Sequence, residues 1–142
     1  MALKSFVPAA TIEAYKGTDF RVYHDPAFTL RVGMLSEELR EVYAQQQVTC
    51  AAFITAWNPY SMETSEEENI ALQTRLEACV AEAGYKFWPG LGVDPSGKWP
   101  GEPSAFVLGM DLATACSFGT DFRQNAIVWI GETAVPELIM LR

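Results

Sequence analysis

A chain of 142 residues, 49% hydrophobic and 20% charged, is long enough to bury one sizeable core and too apolar to remain disordered. Eighteen acidic against ten scattered basic residues leave a net charge of −8, which repels phosphate backbones and argues against direct nucleic-acid binding. No apolar run reaches the length of a membrane span. The opening MALKSFVPAATIEAYKGTDF is interrupted by charge and does not read as a leader, so the expectation is one cytoplasmic domain over 1–142 with no membrane partner.

A short helix is expected over 8–15, opened by Pro8 at a position where its missing N–H does no harm. Residues 20–32 then alternate. Phe20, Val22, Phe28, Leu30 and Val32 fall on one side and Arg21, Tyr23, Thr29 and Arg31 on the other, predicting a hairpin turned at Asp25-Pro26. Ser36 followed by two glutamates predicts a capped helix with Leu39, Val42 and Tyr43 as its buried stripe. The run CAAFITAW, residues 50–57, is apolar throughout and predicts a strand covered on both faces, stopped by Asn58-Pro59.

The clearest helix signal lies at 66–83. Ser65 and Glu68 have capping-box spacing, Leu72, Leu76, Cys79, Val80 and Ala83 share a face, and Gly84 suits the left-handed stop. Strands are predicted at 85–89, 104–110 and 126–130, with a short helix opened by Asp111 between the last two and a closing edge strand in VPELIMLR. Interleaving without strict βαβ alternation predicts a single α+β domain: a mostly antiparallel or mixed sheet of about five to seven strands, packed with about three to four helices. Cys50, Cys79 and Cys116 lie in apolar contexts without metal-like spacing and read as buried free thiols.

Residues 92–104, GVDPSGKWPGEPS, contain Gly92-x-x-x-x-Gly97-Lys98, most of a phosphate-binding loop. The motif fails at the next residue. Trp99 stands where a magnesium-binding hydroxyl belongs, and Pro100, Gly101 and Pro103 exclude the helix that must follow. Asp94-Pro95-Ser96-Gly97 instead has type I turn chemistry, so the stretch reads as a long, twice-bent connection presenting Trp99 and Glu102.

Four blocks, FITAWNPYS, SEEENIALQTRL, GVDPSGKWPGEPS and DFRQNAIVWI, together resemble the bacterial family known as domain of unknown function 3293, over roughly residues 15–132. The resemblance implies a small stand-alone bacterial domain and no activity. It directs attention to Trp57, Asn58, Pro59, Asn69, Gly92, Asp94, Trp99, Glu102, Gln124 and Trp129.

The polar residues support overlapping candidates. Asn58 ends the buried strand and suits either a ligand or a turn cap; Asn69, behind three glutamates, reads as part of a solvated helix start. Glu102 sits between Gly101 and Pro103, where it faces water or pairs with Lys98, and Asp94 with Glu102 forms a conceivable carboxylate pair. Gln124 precedes an apolar strand. If strands 50–57 and 126–130 are neighbours, Asn58, Gln124 and the Trp99 loop share one rim, able to recognise a polar planar group.

The only histidine, His24, has no nucleophile arranged beside it, and no spacing suits a metal, so no cofactor is expected and catalysis has little support. Two functions remain. One is an acidic binding or regulatory module for a basic protein partner; the other is a small-molecule binder or enzyme using the rim of Trp57, Asn58, Asn69, Asp94, Lys98, Trp99, Glu102 and Gln124.

Overall fold

The fold is that of a computed structural model, which describes residues 5–142; Met1–Lys4, part of the opening read above for a leader, lie outside the described residues. In chain order the elements are α1 (Ala9–Lys16), β1 (Asp19–Val22), β2 (Phe28–Leu30), α2 (Glu37–Gln46), β3 (Ala51–Ile54), a 3₁₀ turn (Pro59–Ser61), α3 (Glu66–Glu82), β4 (Phe87–Val93), β5 (Glu102–Leu108), α4 (Leu112–Asp121), β6 (Ala126–Ile130) and β7 (Pro136–Met140). All seven strands join one sheet in the order β2-β1-β4-β5-β3-β6-β7, and every neighbouring pair is antiparallel. This is the expected α+β domain.

Strand alternation sorts the core onto two faces. On one, Val22, Leu30, Phe53, Phe106, Leu108, Val128 and Ile130 meet Leu39, Val42 and Tyr43 of α2. The Tyr43 hydroxyl donates to Ile130 O at 3.0 Å, so the tyrosine that seats α2 also finds a partner for its buried oxygen. On the other face, Ala52, Ile54, Ala105, Val107 and Ile127 meet Leu76 and Val80 of α3 and Ala115 of α4. The interior strand β3 is buried at every residue, as its unbroken apolar run predicts.

Local chemistry starts α2, α3 and α4. The side chains of Ser36, Ser65 and Asp111 accept from Leu39, Glu68 and Thr114 N–H at 3.1, 3.2 and 2.7 Å. Gly84 takes the left-handed conformation, φ +90°, after α3. β7 lies at the sheet edge with Pro136 as its first residue, the position where a proline does least harm.

Four expectations need correction. β4 does not end at 89: it runs through Pro89 to Val93 against β5, which starts at Glu102, so the long connection shrinks to Asp94–Gly101. A proline removes one ladder donor, and a strand paired on both sides survives that loss; Pro89 O still accepts from Tyr23 N–H at 2.9 Å. The strand predicted over 50–57 is regular only across Ala51–Ile54, because Thr55 turns its hydroxyl to Pro103 O (2.7 Å) and accepts from Trp57 N–H (3.0 Å). Along α3, Ala83 is exposed; Leu76 and Val80 are buried and Leu72 and Cys79 half-buried as expected, but two amides, Asn69 and Gln73, join the buried face. The three cysteines are free but only half-buried; Cys50 donates to Met110 O at 3.3 Å, and burial pushes the Cys50 and Cys116 thiols up.

Candidate functional site

α2 covers only part of its face of the sheet. Towards the other end of that face the strands present small residues, Gly92, Ser104, Thr55 and Ala126, and nothing large fills the space above them. A cavity of about 550 Å³ remains, within the range of small-molecule sites. Its floor is apolar, from Phe20, Phe53, Val128 and Leu138, and α1 lies over it through Ala10, Thr11, Ala14 and Tyr15. Phe20 and Phe53 meet edge to face, ring centres 5.1 Å apart. Gly90 makes room for that arrangement: a Cβ there would stand 2.6 Å from the Phe53 ring.

The polar groups converge through strand register. β1 pairs Phe20 with Gly92, and β4 pairs Gly92 with Glu102. β3 pairs Ile54 with Ala105 and Phe53 with Val128. Phe20, Gly92 and Glu102 are in register across three strands, and Trp57, just past β3, and Gln124, just before β6, line the same cavity beside them. The Gln124 amide nitrogen donates to Trp57 O at 3.4 Å and Phe122 O at 3.2 Å.

Asn58 enters the rim from a strained segment. Asn58, Tyr60 and Ser61 all have left-handed backbones, φ 46°, 56° and 58°, which non-glycine residues adopt at a cost. Asn69 holds them there. Its Oδ1 accepts from Asn58 N–H at 2.8 Å, and its Nδ2 donates to Asn58 Oδ1 at 2.8 Å and Thr64 O at 3.2 Å. Asn58 Oδ1 also accepts from Thr64 N–H at 3.0 Å. A carboxamide pair thus fixes the segment between β3 and α3.

Burial dominates the electrostatics. The Glu102 carboxyl, withdrawn from water, is pushed up to about 7, and the Asn58 amide facing it pulls in the other direction. Among the described residues lining the cavity, the charged side chains are Glu63 and Glu102, and no lysine, arginine or histidine is present.

Of the residues singled out from sequence, Trp57, Asn58, Trp99, Glu102 and Gln124 line this one cavity, with Gly92 in its floor. Asn69 does not. It is 1% exposed, so while Ser65–Glu68 are solvated as expected, Asn69 is not: its side chain points inward to Asn58 and serves as the support behind the rim. Asp94 and Lys98 stay in the connection. The Ser96 hydroxyl donates to Asp94 Oδ1 at 2.8 Å, Ser96 N–H donates to the same oxygen and Lys98 N–H to Oδ2, both at 2.9 Å, and these bonds, the hydroxyl's first, hold the carboxyl below its ordinary value. Gly97 N–H donates to Asp94 O at 3.0 Å, closing the expected turn. Neither Asp94 nor Lys98 reaches Glu102, so the carboxylate pair and the Glu102–Lys98 ion pair are not formed among the described residues.

Trp129 faces the opposite side, where its Nε1 donates to Met110 O at 3.0 Å. His24 stacks on Trp88, ring centres 3.6 Å apart, outside the cavity.

Sequence reading missed Thr55, Ser104, Tyr15 and Asn125. Period two carries the signal for the first two: Phe53-Thr55-Trp57 and Glu102-Ser104-Phe106 each interleave aromatic and polar side chains on one face. Asn125 is 5% exposed and donates to Tyr15 Oη (3.2 Å) and Ser61 Oγ (3.0 Å), which also bond each other, pinning α1 to the rim; nothing local to Tyr15 announces this.

Among the described residues no group of three His, Cys, Asp or Glu side chains is placed to hold a metal ion, and no helix is long and apolar enough to cross a membrane. A family model described as protein of unknown function (DUF3293) matches residues 54–127, a span that contains every rim residue from Trp57 to Gln124. No curated protein and no solved structure matches the chain.

Proposed function

We propose that this chain, which belongs to the DUF3293 family of proteins of unknown function, binds a small organic molecule in the cavity beneath α1. The observation that carries the reading is the meeting of Glu102, Trp57 and Gln124, which sets a carboxyl, an indole and an amide over an apolar floor. A few convergent polar groups above hydrophobic and aromatic walls is the usual composition of such a site. Asn58 is held rigidly beside them by Asn69, so the rim is set in place before any ligand arrives, and less freedom is lost on binding. Net charge, the ground for a basic protein partner, singles out no particular surface; the cavity is a defined place with defined chemistry.

A thermal-shift screen of amines, amino acids, nucleosides and sugars tests the reading. A compound at about a hundredfold its Kd adds about 2.7 kcal/mol of stability. Ala126→Phe, which fills the floor, should remove the shift while the variant still unfolds cooperatively. Shifts that persist undiminished in Ala126→Phe would place binding elsewhere, and a panel with no hits on the wild-type chain would end the proposal.

A further inference from the structure

The charged side chains that line the cavity are acidic, and they stand beside the indoles of Trp57 and Trp99. The Gln124 amide nitrogen is already committed to two backbone carbonyls, while no protein donor among the described residues reaches its Oε1. Gln124 is 7% exposed, yet its Oε1 keeps contact with solvent and so is open to a donor on a ligand. Glu102 contributes two further acceptor oxygens with only the Asn58 amide turned towards them. Among the described residues no basic side chain lines the space to offset the carboxylate, and the second charged lining residue, Glu63, is also acidic.

A buried carboxylate without a counter-charge is costly, and a cation brought by the ligand relieves that cost where an anion adds to it. The aromatic rings of Trp57, Trp99, Phe20 and Phe53 add faces that attract a positive charge.

Resting on the cavity-binding reading, we propose that the ligand is an organic cation: an ammonium or guanidinium head donates to Glu102 and to Gln124 Oε1, and an apolar body lies over Phe20 and Phe53. Such a molecule meets each unsatisfied acceptor with a charged donor and covers the apolar floor in the same pose. The volume of about 550 Å³ admits a molecule well beyond a bare ammonium ion, so recognition extends from the head to the body.

The test is a charge series on one body. The full chain is titrated with 2-phenylethylammonium, its neutral analogue 2-phenylethanol and the anion phenylacetate, following the indole N–H resonances of Trp57 and Trp99 by NMR. The cation is expected to bind roughly tenfold or more tighter than the alcohol, and the anion not to bind. Glu102→Gln should erase the preference for the cation while leaving the alcohol affinity within about threefold of wild type.

Equal binding of cation and alcohol by the wild-type chain, or tighter binding of phenylacetate, would overturn the cation assignment and leave the cavity as a binding site. A cation preference that survives in Glu102→Gln would overturn the role given to that carboxylate. Silence of both indoles to all three probes at millimolar concentration would overturn the cavity reading together with the inference.

Discussion

Glu102 carries a folding penalty whose sign follows from its shifted titration. Its ordinary value is 4.5 and burial raises it to about 7 in the folded chain. Between those values the folded carboxyl keeps a proton that the unfolded one releases, so stability falls as pH rises through that window and levels off above it. The full loss is about 3 kcal/mol. Glu102→Gln removes the titration, so its gain over wild type in urea unfolding should be about 2–3 kcal/mol larger at pH 8 than at pH 5. Comparing the two proteins at each pH cancels the lowered carboxyls of Asp94 and Asp111, which act in the opposite direction below their ordinary values. An equal gain at both pH values would show that Glu102 is not withdrawn from water. Asn69 acts differently. Asn69→Ala leaves Asn58 N–H and Thr64 O without a partner and frees a strained segment, so a loss of about 3 kcal/mol is expected in chemical denaturation. A loss below about 0.5 kcal/mol, the scale of ordinary surface substitutions, would mean that water replaces those bonds without cost.

Among the elements, α1 is held most weakly. None of its eight residues is buried, and its ties to the body are polar: Tyr15 to Ser61 and Asn125, and Thr18 Oγ1 to Ala14 O at 2.7 Å. A helix this short has little stability of its own, so local opening should dominate its amide exchange. Amides in 9–16 are expected to exchange several orders of magnitude faster than those of β3, and Tyr15→Phe should speed them further without shifting the global midpoint. Hydrogen-exchange mass spectrometry reads both effects; protection in α1 equal to that in β3 would contradict the reading. By contrast, α3 turns four inward residues to the sheet and the 58–64 segment, and the left-handed Gly84 ends it. Its apolar spacing and capping were legible in sequence because i, i+4, i+7 periodicity and Ser65 are local features. That two of the four inward residues are amides was not legible. The same spacing of Asn69 and Gln73 fits a solvated face unless Asn58 and Ala56 are known to lie opposite; Gln73 Oε1 accepts from Ala56 N–H at 2.9 Å.

At the scale of the whole molecule, β3 belongs to both cores: Ala51 and Phe53 pack towards α2, and Ala52 and Ile54 towards α3 and α4. Neither layer survives loss of that strand, so the chain should unfold in one transition. Far-ultraviolet circular dichroism and tryptophan fluorescence, the latter reporting on both faces through Trp88 and Trp129, should give coincident urea curves. Separated midpoints would mean that the layers fold independently. Antiparallel order throughout also explains why the fold class could be read from the chain. Its strands are separated by connections too irregular for βαβ crossovers, and antiparallel neighbours tolerate short turns such as Asp94–Gly101.

By itself, the sequence determined the identity of most elements, the two-sided burial of β3, the Asp94 turn and the failure of the phosphate motif at Trp99. Each of these depends on neighbours within a few residues: a period, a cap, a proline. Only the tertiary structure decided which of the marked residues line one cavity. Glu102 opens β5, Trp57 lies just past β3 and Gln124 just before β6, and their meeting depends on the registers of β3 with β5 and β6. A slip of one residue in any of these strands would turn its own member of the set to the opposite face. Local spacing does not contain that register; it follows from packing both faces of β3 at once.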